Sequence, residues 1–128
     1  MLAIQLMELQ RNTHHVYRLM YHFVWIPKYR HMVFSEPYSG ELKGVIEKIG
    51  HNYDIDIVEL EILEDHLHMV VPRVPKMSPG GAMQIIKSIS AREFFRRQPE
   101  IKKRYFWEGR LWTQSYFFET IGKPARML

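Results

Sequence analysis

Two histidines separated by one leucine, His66 and His68, precede an apolar run in the stretch EDHLHMVVP at 64–72. Side chains alternate faces along a strand, so both imidazoles would point the same way. Their Cβ atoms would lie roughly 6.5–7 Å apart, from two rises of about 3.3 Å. Two imidazoles at this spacing can converge on zinc, manganese, iron or nickel, or on magnesium when oxygen ligands complete the shell. The positions left for water and a phosphate oxygen are typical of a catalytic metal site.

The same pair also fits two solvent-facing polar residues, because His-x-His is a short motif that often occurs without a metal. Asp65 either accepts a hydrogen bond from an imidazole and orients it, or simply makes a hairpin turn. The chain has no cysteine, so thiolate sites and disulfides are excluded, and any ligand must be His, Asp, Glu or Gln. The lack of cysteine also suits a cytoplasmic location.

Hydrophobic patterns predict the strands that must hold the pair. Aromatic and β-branched residues predict a first strand at 16–26, and Pro27 ends it because proline cannot donate to a sheet ladder. Apolar residues alternate with acidic ones at 54–63, which predicts a half-buried second strand. A tight turn at Glu64-Asp65 then joins it to a third strand at 66–72, in an antiparallel hairpin.

Two helices and a last strand complete the predicted elements. Helical spacing of apolar residues predicts a first helix at 39–52, with Ser39 as its cap, and a second helix from 78 to about 97. Pro99 ends the second helix. A final strand is predicted around 111–118.

The resulting order, β-α-β-β-α-β, predicts an α+β, ferredoxin-like fold: a four-stranded antiparallel sheet with two helices on one face. The first and third strands are then central, and His66 and His68 lie on the open face. The 128 residues suit one domain, which we place at 13–122, between an N-terminal arm at 1–12 and a short tail at 123–128. The N-terminal stretch is a poor match to a signal peptide, and no membrane span is predicted.

Basic residues and aromatics occur together in two places. The chain has a net charge of +4 and a pI of about 9.4, which favours an anionic partner such as nucleic acid. Seven positive residues against two negative ones lie at 87–104, although the exposed side of an amphipathic helix gives the same pattern. Cations bind phosphates and aromatics stack on unpaired bases. The predicted DNA contacts are Lys28, Tyr29, Arg30, Lys87, Arg92, Arg110 and Trp112.

Three stretches at these spacings resemble a known family: HFVWIPKYR, EDHLHMVV and RLWTQSYF. They are similar to the small transposases of the single-strand insertion sequences, which are HUH nucleases, named for histidine–hydrophobic–histidine. Here that motif is His66-Leu67-His68. The resemblance runs from about His14 to Gly122, nearly the whole chain.

The resemblance implies a ferredoxin-like, obligate homodimer whose sheets join across subunits. Such a protein binds subterminal DNA hairpins and cuts single-stranded DNA at the ends of its element. His66 and His68 would hold Mg²⁺ or Mn²⁺, which polarises the scissile phosphate. A tyrosine on a C-terminal helix would attack, leaving a 5′-phosphotyrosine and a free 3′-OH. That helix would also supply a glutamine as a third metal ligand, and it can serve the partner's active site.

The expected tyrosine and glutamine are missing from this sequence. They should follow SYFFETIG by a dozen or so residues, but the chain continues with KPARML to Leu128. Tyr116 belongs to the QSYF strand stretch and is only a fallback nucleophile, as are Tyr29 and Tyr105. A decayed element copy is the favoured interpretation, beside an artificially shortened chain or a substitute tyrosine. Under the first two, hairpin binding and dimerisation could survive without cleavage.

Three alternatives remain open. The first is a domesticated, non-catalytic DNA- or RNA-binding module on the same fold. The second is a small metal-dependent hydrolase that combines His66 and His68 with Glu61 or Glu64. The third is a ferredoxin-like regulatory domain that binds a small molecule. Nucleic-acid binding with a steep salt dependence separates the first from the other two.

Overall fold

The computed structural model describes residues 17–72 and 77–124, which contain four strands and three helices. The strands are β1 (Tyr17–Trp25), β2 (Glu59–Ile62), β3 (Leu67–Pro72) and β4 (Phe117–Pro124). The helices are α1 (Tyr38–Asn52), α2 (Pro79–Arg97) and α3 (Pro99–Tyr105), and a short 3-10 turn covers Lys28–Arg30. None of the helices in these ranges is long and apolar enough to cross a membrane.

The strands form one antiparallel sheet in the order β2-β3-β1-β4. This confirms the predicted ferredoxin-like, α+β architecture with β1 and β3 at the centre. The predicted arm at 1–12 lies outside the described residues. β4 continues to Pro124, two residues into the segment at 123–128 that was predicted to be a tail.

Alternation along the central strands decides which side chains face the helices. On β1, Tyr21, Phe23 and Trp25 are buried, whereas the residues between them are only half-buried. On β3, Leu67 and Met69 are fully buried and pack with apolar residues of α1 and α2. The opposite, open face of the sheet therefore carries the other set, which includes the histidines, as the two-residue period predicts.

Two element boundaries differ from prediction for identifiable reasons. Ser39 is not the cap of α1; it lies inside the first turn, and its hydroxyl donates to Glu36. The second strand is shorter than the predicted 54–63 because the chain after α1 is used to end the helix. Asp54 adopts a left-handed conformation (φ 60°), and the Ile55 N–H donates to the Gly50 carbonyl at 2.8 Å.

The predicted final strand at 111–118 is wrong in its position along the chain, because β4 begins only at Phe117. The apolar pair Leu111 and Trp112 is buried by crossing the end of β1. The Leu111 carbonyl accepts from the Lys28 N–H at 2.7 Å, and Trp112 forms an isolated bridge with Pro27. Pro99, predicted only to end the second helix, also begins α3, where its missing N–H is not needed.

The hydroxyl of Ser90 is predicted to contribute measurably to stability. Ser90 is fully buried on α2, and its Oγ accepts a hydrogen bond from the Trp112 indole N–H at 3.0 Å. Replacing Ser90 by alanine leaves that donor buried without an acceptor, so we expect a loss of about 1–3 kcal/mol in urea unfolding. Ser88→Ala, at an exposed position of the same helix, is the matched control. Equal effects of the two substitutions would contradict this role.

Candidate functional site

The histidine pair lies where the hairpin enters the centre of the sheet. His66 closes the turn, since its carbonyl accepts from the Leu63 N–H at 2.9 Å, and His68 is the second residue of β3. Both side chains are half-buried, and their ring centroids are 4.9 Å apart with the planes at 70°. The structure therefore brings the two imidazoles together, close enough to share one ion.

Asp65 contacts the first histidine directly as well as making the turn. Its Oδ1 lies 2.8 Å from His66 Nδ1, and its Oδ2 accepts from Arg30 Nη2 at 2.9 Å. The hydrogen bond from His66, followed by that from Arg30, lowers the pKa of Asp65. The carboxylate is thus ionised and acts only as an acceptor. Both interpretations of Asp65 that the sequence allows, the turn and the imidazole contact, hold in the structure.

A third histidine, His22, joins the pair from β1. Its ring is nearly parallel to that of His68, with centroids 5.3 Å apart and planes within 11°. His22 Nε2 lies 3.1 Å from His68 Nδ1, and His22 Nδ1 lies 2.9 Å from Glu119 Oε2 on β4. No sequence pattern assigns a role to His22, although the residue opens the stretch HFVWIPKYR and alternates with buried neighbours. Only the pairing of β1 with β3 makes the three histidines neighbours.

The surroundings of His68 keep its imidazole neutral. Burial lowers the pKa of His68, and the nearby His66 and His22 lower it further, while Glu61 opposes them. A neutral imidazole is the form that binds a metal. Glu61 pairs with His68 in the register of β2 with β3.

No set of three His, Asp or Glu side chains within residues 17–72 and 77–124 is arranged to hold a metal. This weighs against a hydrolase that completes its site with Glu61 or Glu64. The donor set that is present fits Mg²⁺ or Mn²⁺ as two imidazole ligands, with the remaining positions left to oxygen atoms.

The side chains of the turn after β1 contact two different carboxylates. Tyr29 and Arg30 both have positive φ, 64° and 51°, which non-glycine residues rarely adopt. Arg30 pairs with Asp65, whereas Lys28 Nζ lies 3.7 Å from Glu108 Oε1, and the Tyr29 hydroxyl donates to the same carboxylate. Of the three predicted DNA contacts in this turn, only Arg30 is linked to the histidine pair.

Two predicted DNA contacts have structural roles instead. Trp112 is buried against Trp25, with ring centroids 5.8 Å apart, so its ring cannot stack on a base. Lys87 Nζ donates to the carbonyls of residues 113–115 at 2.6, 3.2 and 3.3 Å. Burial lowers the pKa of Lys87, and the three carbonyls take the place of water around its ammonium group. Lys87 thus fixes the segment before β4 rather than offering a free cation.

The remaining predicted cations border two hollows along α2. One, of about 430 Å³, lies between α2 and residues 109–116 and is bordered by Arg110. The other, of about 480 Å³, shares Ser88, Ala91 and Gly109 with the first. We call this surface the basic groove and define it by four exposed cations: Arg92, Arg96, Lys102 and Arg110. It lies on the helix side of the molecule, whereas the histidines lie on the open face of the sheet.

Tyr116 is on the wrong side of the sheet to serve the histidine pair within one chain. Its ring packs against Phe23, with centroids 5.8 Å apart, and Lys87 Nζ lies 5.7 Å from the ring centre. Both neighbours belong to the helix side. The structure therefore argues against Tyr116 as a nucleophile. Of the other two fallback tyrosines, Tyr29 donates its hydroxyl hydrogen to Glu108. The ring of Tyr105 packs against that of His31, with centroids 5.3 Å apart.

The sequence is similar to those of several known proteins. The family model described as "Transposase IS200 like" matches residues 15–127. The ISDra2 transposase TnpA of Deinococcus radiodurans is 29% identical over 120 residues, which cover 94% of this chain and 85% of that protein. The transposase for insertion sequence element IS200 of Salmonella typhimurium is 28% identical over 111 residues, covering 87% and 72%.

Two solved structures share the fold. A crystal structure of a proposed transposase from Deinococcus radiodurans R1 superposes with a TM-score of 0.74 at 32% identity, covering 83% of this chain and 81% of that one. A REP-associated tyrosine transposase bound to a REP hairpin superposes with a TM-score of 0.57 at 12% identity, covering 88% and 61%. At that identity the second likeness concerns the fold alone.

Proposed function

Because the chain belongs to the IS200-like transposase family, we propose that it binds single-stranded DNA hairpins at the ends of its element and presents His66 and His68 to the strand that is cut. The observation that carries this proposal is the pair itself: two half-buried imidazoles, 4.9 Å apart, on the open face of the sheet. A DNA partner also implies a cytoplasmic place of action.

The basic groove supports hairpin binding. Its cations lie along α2 and beside residues 109–116, and cations aligned along one groove suit the phosphates of a folded strand. A structural neighbour with the same fold was solved with a hairpin bound. Hairpin binding on the helix side leaves the open face available for a single strand.

The divalent metal belongs to this proposal as well. When bound by His66 and His68, Mg²⁺ or Mn²⁺ would polarise a phosphate and so favour attack on it. The protein's own contribution is to hold both rings: Asp65 accepts from His66, and β3 fixes His68 at the centre of the sheet. Arg30, bound to Asp65, places a positive charge beside the pair, where it can approach a phosphate.

We further propose a homodimer joined through β4. This strand forms one edge of the sheet, and it carries Phe117 and Phe118, which are 55% and 40% exposed. An exposed edge with apolar side chains is a template for pairing with another strand. A second copy of the chain, as the family resemblance implies, would cover both.

Hairpin binding can be tested with three labelled oligonucleotides of equal length: the hairpin from the element's end, an unstructured strand, and a plain duplex. We expect the hairpin to bind most tightly in fluorescence anisotropy, with log K falling linearly against log salt at about 0.9 per phosphate contact. Sedimentation of the complex should give two chains. Equal affinity for all three oligonucleotides, or an affinity that does not change with salt concentration, would count against the proposal.

A hairpin-binding module without cleavage activity is the second candidate, because Tyr116 faces the helix side and the Tyr29 hydroxyl faces Glu108. Incubation with single-stranded element ends and Mn²⁺, followed by a denaturing gel, separates the two. A covalent protein–DNA band would rule out the inactive module, and free DNA alone would support it.

A further inference from the structure

We propose that His22 and Glu119 form a positioning pair that fixes the tautomer of His68, so that His68 Nε2 is the nitrogen left for a metal. The inference rests on the proposed role of His66 and His68 as metal ligands. It adds two residues to the site, from two further strands.

The three groups lie on three neighbouring strands, with His68 diagonal to His22, whose direct partner on β3 is Val70. His68 lies on β3, His22 on β1 and Glu119 on β4, and His22 and Glu119 are direct partners in the β1–β4 register. Two short contacts connect the three groups, 3.1 Å between His68 Nδ1 and His22 Nε2 and 2.9 Å between His22 Nδ1 and Glu119 Oε2. The two imidazole planes are within 11° of parallel, with centroids 5.3 Å apart, so the 3.1 Å contact joins the two rings edge to edge.

The position of each proton follows from the acceptor at the end of these contacts. An ionised carboxylate can only accept, so Glu119 requires a proton on His22 Nδ1. In its neutral form His22 carries only this one N–H, which leaves His22 Nε2 as an acceptor. The contact with His68 is then made by a proton on His68 Nδ1. His68 Nε2 is left unprotonated, which is the form that can bind a metal.

The other histidine is held in the same way by a different group. His66 Nδ1 donates to one oxygen of Asp65, whose other oxygen accepts from Arg30. Both histidines of the pair therefore use Nδ1 within the protein, and in the neutral form each leaves Nε2 unprotonated. Metal-binding histidines commonly have their second nitrogen fixed in this manner by a carboxylate or a carbonyl. For His68 the carboxylate acts through an intervening imidazole.

Long-range ¹H–¹⁵N correlation spectra of the metal-free protein test the assignment directly, because they distinguish a protonated ring nitrogen from a bare one. We expect Nδ1–H and bare Nε2 for both His66 and His68. In Glu119→Leu, which removes the acceptor, His68 should lose its single tautomer. In Glu119→Gln, whose amide oxygen can still accept from His22, the tautomer should persist. A bare Nδ1 on His68 in the unsubstituted chain would overturn the inference.

Mn²⁺ affinity, measured by electron paramagnetic resonance, gives a second readout. Glu119→Leu and His22→Phe should each weaken Mn²⁺ binding about 10–100-fold, the usual effect of losing such a partner, whereas Glu119→Gln should retain it. Glu47→Leu, an equal change of charge at an exposed position of α1, is the matched control and should bind Mn²⁺ normally. Circular dichroism melting checks that each variant is folded.

The outcomes separate this inference from the proposed function. Weaker Mn²⁺ binding in Glu119→Leu with an unchanged His68 tautomer would overturn the positioning role and leave only a charge effect. Loss of Mn²⁺ in His22→Phe with an unchanged His68 tautomer would instead make His22 a direct ligand. An unsubstituted chain with the expected tautomers that binds no Mn²⁺ would support the positioning pair and overturn the metal site.

Discussion

Replacing His66 and His68 together by alanine is expected to weaken Mn²⁺ binding by more than about 100-fold. Loss of a group that only hydrogen-bonds to a metal ligand already weakens metal binding about 10–100-fold. The described residues contain no set of three His, Asp or Glu side chains that could take over. Hairpin binding measured in EDTA should stay unchanged, because the basic groove lies on the other side of the sheet. Electron paramagnetic resonance and fluorescence anisotropy measure the two affinities on the same protein sample.

His51→Ala is the matched control for this experiment. It removes an imidazole from an exposed position on α1, a helix that packs against the other side of the sheet, so both affinities should match those of the unsubstituted chain. The double variant should also keep its fold, because His66 and His68 are only half-buried and belong to the open face rather than the core. Undiminished Mn²⁺ binding in the double variant would show that the metal binds at other residues.

Much of this site follows from the sequence because it depends on local rules. Alternation along a single strand is enough to place His66 and His68 on one face and Leu67 on the other, and the order of elements is enough to put their strand at the centre. The structure confirms the fold and shows the two rings together. Asp65 is adjacent in the chain, so its contact with His66 is equally local.

Features that depend on pairing between strands could not be predicted in the same way. His22 and Glu119 are 97 residues apart and meet only through the register of β1 with β4. A one-residue shift of that register would send Glu119 to the opposite face. The prediction of Trp112 as a DNA contact is wrong for a related reason, since the sequence of a basic and aromatic segment does not show whether its ring stacks on a base or packs in the core.

The molecule thus has two charged surfaces with different chemistry on its two sides. The open face presents imidazoles supported by carboxylates, and the helix side presents the basic groove. Because the sheet separates them, the two functions should respond to substitution independently. The double variant at His66 and His68 tests this independence from the open face. Substitutions in the basic groove test it from the helix side.

Replacing Arg92, Lys102 and Arg110 together by alanine is expected to weaken hairpin binding roughly 100-fold at moderate salt and to reduce the slope of log K against log salt by about 2.7, at about 0.9 per lost phosphate contact. All three side chains are exposed on the border of the groove, so their loss should change unfolding free energy little. Mn²⁺ affinity should stay unchanged, since the histidine pair is on the far side of the sheet.

Single variants make the groove experiment specific. Each of the three alanine substitutions should reduce the slope by about 0.9, whereas Lys48→Ala, which removes the same charge from an exposed position on α1, should leave it unaltered. Equal losses for Lys48 and for Arg92 would mean that net charge alone, and not the groove, attracts the DNA. A groove variant that lost Mn²⁺ affinity as well would show that the two faces are coupled, which the separation by the sheet does not allow.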